Sequence, residues 1–120
     1  MITFEKFRKA KTIYYVYGYV NKQNKNETPE FVCSIYAVPF ATQKEAIKFI
    51  DERNHNISHL NVGEVEHLNL YKHKMTKDYK EMLSHFAIKN DSQITELSFC
   101  DIWDYDKDVF IFGTIKKRNE

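Results

Sequence analysis

The longest uninterrupted stretch of strand-favouring residues runs from Thr12 to Val20. Every residue in it except Gly18 is β-branched or aromatic, a composition typical of a central strand. Because side chains alternate between the two faces of a strand, one face carries a row made of Ile13, Tyr15, Tyr17 and Tyr19. In one interpretation, helices cover this row and the tyrosine hydroxyls lie at the rim of the core. In the other, part of the row stays open and stacks on bases or anchors a protein partner.

The residues after this strand predict a second strand and a helix. Phe31 to Val38 is another apolar run, which predicts a strand that pairs with the first in a long-looped hairpin and stops at Pro39. Thr42 and Glu45 have the spacing of a capping box. A helix is therefore expected from this box through Asn54.

A third strand and another long helix are predicted further along the chain. Glu64 to His73 alternates in polarity, which indicates a strand. Thr76 caps a helix whose apolar stripe consists of Tyr79, Met82, Leu83, Phe86 and Ala87. Asn90 to Ser92 ends this helix. A short helix or turn is also predicted over Thr3 to Ala10.

The last predicted unit is a second hairpin. Gln93 to Cys100 and Asp108 to Lys116 have strand character and flank a polar connection. The predicted order is β-β-α-β-α-β-β, with residues 1–120 forming a single α+β domain. We expect a mostly antiparallel sheet of about five strands with two helices packed on one face.

Length and composition change this picture little. A chain of 120 residues fits one domain and can bury a core without a metal or a disulfide. Cys33 and Cys100 each lie in a strand-like run, which predicts two buried thiols in a reducing cytoplasm. Met1 leads into a charged segment instead of a signal peptide, and no apolar run is long enough for a membrane span. The sequence thus predicts a cytoplasmic protein without membrane association.

Motifs for a cofactor, a metal or catalysis are missing from the sequence. Three glycines are too few for a phosphate-cradling loop. His55 and His59 have i, i+4 spacing but lack the glutamate of a zinc-protease helix. No cysteine or serine lies in a turn that would activate it as a nucleophile. We therefore expect no cofactor, no metal and no catalytic residue.

The stretch from Asp101 to Asp108 is the most informative polar feature of the sequence. It holds four aspartates and the only tryptophan, and aromatic anchors ringed by charge are typical of interface centres. A calcium loop is not expected, because Val109 and Ile115 stand where an EF-hand loop needs glycine and glutamate. One interpretation is a solvated hairpin tip with the tryptophan folded back onto the sheet. The other is an acidic binding tip made of Trp103, Asp104, Tyr105, Asp106 and Asp108.

The function that these observations favour is non-enzymatic binding of a protein partner through the acidic tip. The closely spaced aspartates of this predicted tip would attract a partner with a basic surface. The abundance of Lys, Asn, Ile, Tyr and Phe is typical of AT-rich genomes. By association, small chains of this kind suggest a phage or mobile-element product that inhibits a host or defence protein.

The alternative is a nucleic-acid-binding module, because the net charge of +1 hides an uneven distribution. Six basic residues and no acid lie between Lys6 and Lys25, whereas Asp91 to Asp108 holds six acids and one lysine. Such a module would combine phosphate contacts with base stacking. Its residues are Lys6, Arg8, Lys9, Lys11, Tyr15, Tyr17, Tyr19, Lys22 and Lys25. The sequence leaves the oligomeric state open between a monomer and a homodimer, since the exposed edge strands of a small sheet can pair with a second copy.

Overall fold

A computed structural model describes residues 2–22, 30–77, 81, 87–90, 92–97 and 108–119 of the chain. Two helices described over their full length and seven strands lie in this part of the chain. In chain order they are β1 Ile2–Thr3, α1 Phe4–Lys9, β2 Thr12–Lys22, β3 Glu30–Phe40, α2 Gln43–His55, β4 Glu64–Lys74, β5 Ala87–Asn90, β6 Gln93–Leu97 and β7 Asp108–Lys117. The predicted α+β class and antiparallel pairing are confirmed, and the elements form a single small domain.

The larger of two sheets has the strand order β3-β2-β4-β7, and each neighbouring pair is antiparallel. The strand predicted to be central, β2, lies between β3 and β4. Its register places Tyr15 opposite Pro39 of β3 on one side and Tyr71 of β4 on the other. β7 pairs with β4 and forms one edge of this sheet.

The smaller sheet has the order β1-β6-β5 and lies next to the short helix α1. The helix begins because the Thr3 hydroxyl accepts a hydrogen bond from the Lys6 N–H at 3.1 Å. Its one buried side chain, Phe7, packs with Ile2 of β1 and Ile94 of β6. The short helix predicted over Thr3 to Ala10 is confirmed.

Two hydrophobic cores form on opposite faces of the larger sheet. On one face, Ile13 and Tyr15 of β2 pack with Phe7 of α1 and Ile94 of β6. We call this the tyrosine face, since Tyr17 and Tyr19 follow on the same side of β2. The opposite face, the helix face, packs against α2. Its core consists of Val16, Val38, Phe40, Ala46, Ile50, Leu68 and Leu70.

The helix α2 follows from its local sequence. The Thr42 hydroxyl accepts a hydrogen bond from the Glu45 N–H at 3.2 Å, as the capping box predicts. Ala46 and Ile50, four residues apart, point the same way and are fully buried against the sheet. The prediction of a helix through Asn54 is confirmed, and the helix ends one residue later at His55.

The predicted second hairpin is wrong. Gln93–Leu97 pairs with β5 and β1 in the smaller sheet, whereas Asp108–Lys117 pairs with β4 in the larger one. Each strand is amphipathic enough to find a long-range partner. Pairing with β4 lets Ile111 and Phe112 of β7 pack against the core of the helix face, and this burial favours the observed pairing.

The helix predicted to begin at Thr76 falls largely on residues outside the described part of the chain. Lys77 and Glu81 are helical, but Tyr79, Met82, Leu83 and Phe86 are not among the residues described. Its predicted end is wrong, because Ala87–Asn90 forms β5 and pairs with β6. The prediction that this helix shares a sheet face with α2 therefore lies outside the described part of the chain.

The predicted stop at Pro39 is also wrong, since β3 continues through it to Phe40. Proline lacks the N–H that an inner strand must donate, but β3 is an edge strand of the larger sheet. One of its sides therefore needs no donor at this position.

Among the helices in the described residues, none has the length and apolar character of a membrane span.

Candidate binding surface

The acidic tip predicted from the sequence is described at one residue only. Trp103, Asp104, Tyr105 and Asp106 lie outside the described residues. Asp108 begins β7, and its side chain is 1% exposed. Its carboxylate therefore faces the protein interior.

Asp108 joins two other buried side chains in a polar cluster at one end of the tyrosine face. The Tyr15 hydroxyl donates a hydrogen bond to Asp108 Oδ2 at 2.5 Å, and His73 Nδ1 donates to Asp108 Oδ1. The strand register brings these two side chains together, because His73 of β4 lies directly opposite Asp108 of β7. The His73 side chain is 1% exposed, so we assign this cluster a structural role.

The basic residues of the alternative interface lie at two places. Lys6, Arg8 and Lys9 are on α1, where Lys9 forms an ion pair with Glu5 at 3.2 Å. Lys11 directly precedes β2 and is exposed. Lys22 and the α1 group lie at opposite ends of β2, a distance of about 33 Å at about 3.3 Å per residue. Lys25 lies outside the described residues.

The three tyrosines of the row have different environments. Tyr15 is 1% exposed and its ring stacks on Tyr71 at a centroid distance of 5.3 Å. It is therefore part of the core and is closed to bases. Tyr17 and Tyr19 are half-buried, with ring centroids 5.9 Å apart in an edge-on arrangement. Part of the row is thus covered, and part reaches the surface.

The tyrosine face carries a partly exposed patch beyond its core, which we call the aromatic surface: half-buried Tyr17, Tyr19 and His67, and exposed Phe110 and Ile115. The register of β2, β4 and β7 places three of these residues in one row across the sheet, because Tyr19 lies opposite His67 and His67 lies opposite Ile115. The Tyr19 and His67 rings stack at 4.5 Å with an interplanar angle of 6°. Phe110 is 56% exposed and Ile115 is 67% exposed, so large apolar groups face solvent here.

Burial lowers the pKa of His67 below its ordinary value of 6.5. The folded chain therefore holds His67 neutral at pH values where the unfolded chain begins to protonate it. The stability that this neutral ring contributes is fully present above pH 6.5 and is lost as the pH falls from 6.5 through the lower folded-state pKa.

We expect His67→Gln to flatten the fall in melting temperature between about pH 7.5 and pH 5.5, since glutamine does not titrate. The measurement is thermal unfolding of both chains across this pH range. His55→Gln is the matched control, because His55 is exposed on α2. An equal pH slope in wild type and His67→Gln would contradict the assignment.

A second polar cluster lies on the helix face, around the buried carboxylate of Glu66. Arg53 of α2 donates to it through Nε at 3.2 Å and Nη2 at 3.1 Å, and His59 Nε2 donates at 2.9 Å. The Glu66 side chain is 2% exposed, whereas those of Arg53 and His59 are 33% and 28% exposed. The cluster fastens the end of α2 and the following loop to β4.

Arg118 holds the same loop from the other side. Its guanidinium Nη1 donates to the carbonyl oxygens of Ser58 at 3.2 Å and Leu60 at 2.5 Å. Gly63 closes the loop with a φ of +87°, a conformation that favours glycine. The backbone N–H of Gly63 also donates to the Arg118 carbonyl at 3.0 Å. Together with the Glu66 cluster, these contacts anchor residues 56–63.

The described residues contain no group of three or more His, Cys, Asp and Glu side chains that could hold a metal ion. In this part of the chain His59 and His73 each contact a carboxylate, and they lie on opposite faces of the sheet.

Comparison with protein-family models, with curated proteins and with solved structures finds no match for this chain.

Sequence reasoning did not identify three of the surface residues: His67, Phe110 and Ile115. A signal for them was present, because His67 belongs to the strand Glu64 to His73 and the other two belong to Asp108 to Lys116. What was lacking was the pairing of these two strands. Without it, the alternation along each strand could not be joined into one surface.

Proposed function

We propose that this chain is a small non-enzymatic binding protein that acts through a surface on a protein partner. The observation that carries the proposal is the aromatic surface, whose Phe110 and Ile115 side chains are more than half exposed. Aromatic rings supply large contact area at a low cost in conformational entropy, which suits them to the centre of an interface.

Position along the chain supports a link between this surface and the acidic stretch that precedes β7. Phe110 follows Asp108 by two residues, and Trp103 and Tyr105 precede Asp108 in the sequence. We propose Trp103, Asp104, Tyr105 and Asp106 as partner contacts beside the aromatic surface. Asp108 is left out, because its carboxylate accepts hydrogen bonds from inside the protein.

The partner that this surface fits is a protein with apolar side chains flanked by basic ones. Apolar groups would pack on Phe110 and Ile115, and basic groups would face the aspartates of the acidic stretch, Asp104 and Asp106. Inhibition of a host or defence protein by a phage or mobile-element product is the biological setting we propose for such contact.

The proposal is tested with two matched double variants in a pulldown from cell lysate. Trp103→Ala with Asp104→Ala is expected to keep the melting temperature while abolishing capture of the partner, since truncating an interface centre costs about 2 kcal/mol or more. Asp51→Ala with Glu52→Ala is the control, because both residues are exposed on α2. Equal capture by the two double variants would contradict the proposal. Unfolding of the first would show that Trp103 belongs to the core.

Nucleic-acid binding is the second candidate, supported by the basic residues of α1 and by the stacked pair Tyr19 and His67. The roughly 33 Å between α1 and Lys22 counts against one compact interface. Contact with phosphates predicts retention on heparin that weakens steeply as salt rises. A chain that flows through heparin at low salt would remove this candidate.

A further inference from the structure

The strand β7 has the properties of a free sheet edge. Among the described residues the only strand paired with it is β4. It is ten residues long, and alternate backbone N–H and C=O groups of an edge strand point away from the sheet. A long edge of this kind is a template for another strand.

Exposed apolar side chains concentrate on this edge. In the described part of the chain, four large hydrophobic residues are exposed, and three of them lie on β7. These are Val109 at 57%, Phe110 at 56% and Ile115 at 67%. The segment from Val109 to Ile115 contains no charge and no proline, the usual devices that protect an edge from pairing.

The charges at the two ends of β7 favour antiparallel pairing of this strand with the same strand of a second copy. The sequence just before it contains three aspartates and one lysine (Asp101, Asp104, Asp106 and Lys107), whereas Lys116 and Lys117 lie at its end. Two such strands placed antiparallel bring the acidic end of each beside the basic end of the other. Parallel placement would put like charges together, which is unfavourable.

We propose that β7 pairs antiparallel with β7 of a second copy of this chain, forming a homodimer. Antiparallel pairing of identical strands generates a two-fold axis, so the contact is closed and symmetric. The larger sheets of the two copies then join into one sheet of eight strands. The two-fold axis is perpendicular to this sheet, and both tyrosine faces lie on the same side.

This pairing doubles the aromatic surface. Phe110 and Ile115 of the two copies meet across the new strand pair, and Tyr19 with His67 extends the surface two strands further on each side. The partner of the proposed function would then bind a symmetric platform. The dimer is nevertheless independent of that function, because it forms from the purified chain alone.

Sedimentation of the purified protein tests the proposal. A single edge contact is small, so we expect dissociation in the roughly micromolar range and a mass that rises toward twice 14.4 kDa between about 5 and 500 μM. Ile115→Glu is expected to weaken the dimer about thirtyfold or more, because it removes an apolar contact and places an acid beside the acidic end of the other copy.

Two further variants make the test specific. Ile115→Lys removes the same apolar side chain but faces the acidic end with a base, so we expect it to weaken the dimer less than Ile115→Glu. Val62→Glu is the control, since Val62 is 49% exposed in the loop before β4 and should leave the dimer unchanged. Urea unfolding checks that each variant folds, which the 67% exposure of Ile115 favours.

Amide hydrogen exchange reports the edge itself. The β7 amides that point away from β4 are expected to exchange about tenfold more slowly in the wild-type dimer than in Ile115→Glu. A wild-type chain that stays at 14.4 kDa at every concentration would overturn the proposal and leave β7 to a strand of another protein. So would equal effects of Ile115→Glu and Val62→Glu, a larger effect of Ile115→Lys than of Ile115→Glu, or a dimer whose outward β7 amides stay unprotected.

Discussion

Replacing Asp108 by alanine is expected to destabilise the protein by about 2 to 6 kcal/mol, because two buried donors lose an acceptor. The carboxylate is 1% exposed and accepts hydrogen bonds from Tyr15 and His73. Its removal takes a hydrogen-bond acceptor from a buried hydroxyl and a buried ring N–H, and each loss carries a desolvation cost. The measurement is urea unfolding followed by circular dichroism.

Two control variants separate the buried cluster from a general effect of removing an aspartate. Asp51→Ala, on the exposed side of α2, should change the free energy of unfolding by no more than about 0.5 kcal/mol. Tyr15→Phe keeps the ring in the core and removes only the hydroxyl, so its cost should be about 1 kcal/mol. If Asp108→Ala were no more destabilising than Asp51→Ala, the cluster would not be structural.

Replacing Leu68 by alanine is the second large effect, with an expected loss of about 3 kcal/mol. Leu68 is fully buried on the inner strand β4, where it belongs to the core that includes Val16 of β2 and Ile50 of α2. Strands on both sides hold the backbone in place, so the vacated space cannot collapse. The reduced stability is again measured by urea unfolding.

The control for this substitution is Val62→Ala, because Val62 is apolar and 49% exposed. Its removal should cost less than about 0.5 kcal/mol. A similar loss in both variants would mean that the packing between β4 and α2 contributes little to stability. Leu68→Ile, which conserves volume, should recover most of the loss.

Local signals were sufficient to predict the elements that pack the helix face. The run Thr12 to Val20 reads as a strand because its residues favour extended backbone, and Thr42 with Glu45 fixes the start of α2 through contacts three residues apart. Such interactions depend only on neighbours in sequence. They were accordingly predictable without knowledge of the fold.

Strand partners were not predictable in the same way. β6 and β7 are adjacent strands in the sequence, which favours a hairpin, yet they belong to different sheets. The choice depends on burial of Ile111 and Phe112 against the helix-face core, which includes residues far away in the chain. A strand pattern specifies which side chains share a face but does not specify the neighbour.

The two polar clusters show the same limit. Tyr15 and Asp108 are 93 positions apart, and no spacing rule links them. Arg53 and Glu66 are only 13 positions apart, but they meet because α2 lies across β4. Asp108 was predicted to face a partner because it ends an acidic stretch. Its register opposite His73 instead directs it into the protein.

The pairing of β2 with β4 has a consequence for synthesis of the chain. Thr12 lies opposite Lys74, so the tyrosine-rich strand leaves the ribosome well before the strand that covers its second edge. Until then it presents nine uncharged residues, of which all but Gly18 have high β-propensity, a composition prone to cross-β association. Yield in cells should therefore depend on translation speed and on chaperones that shield this segment.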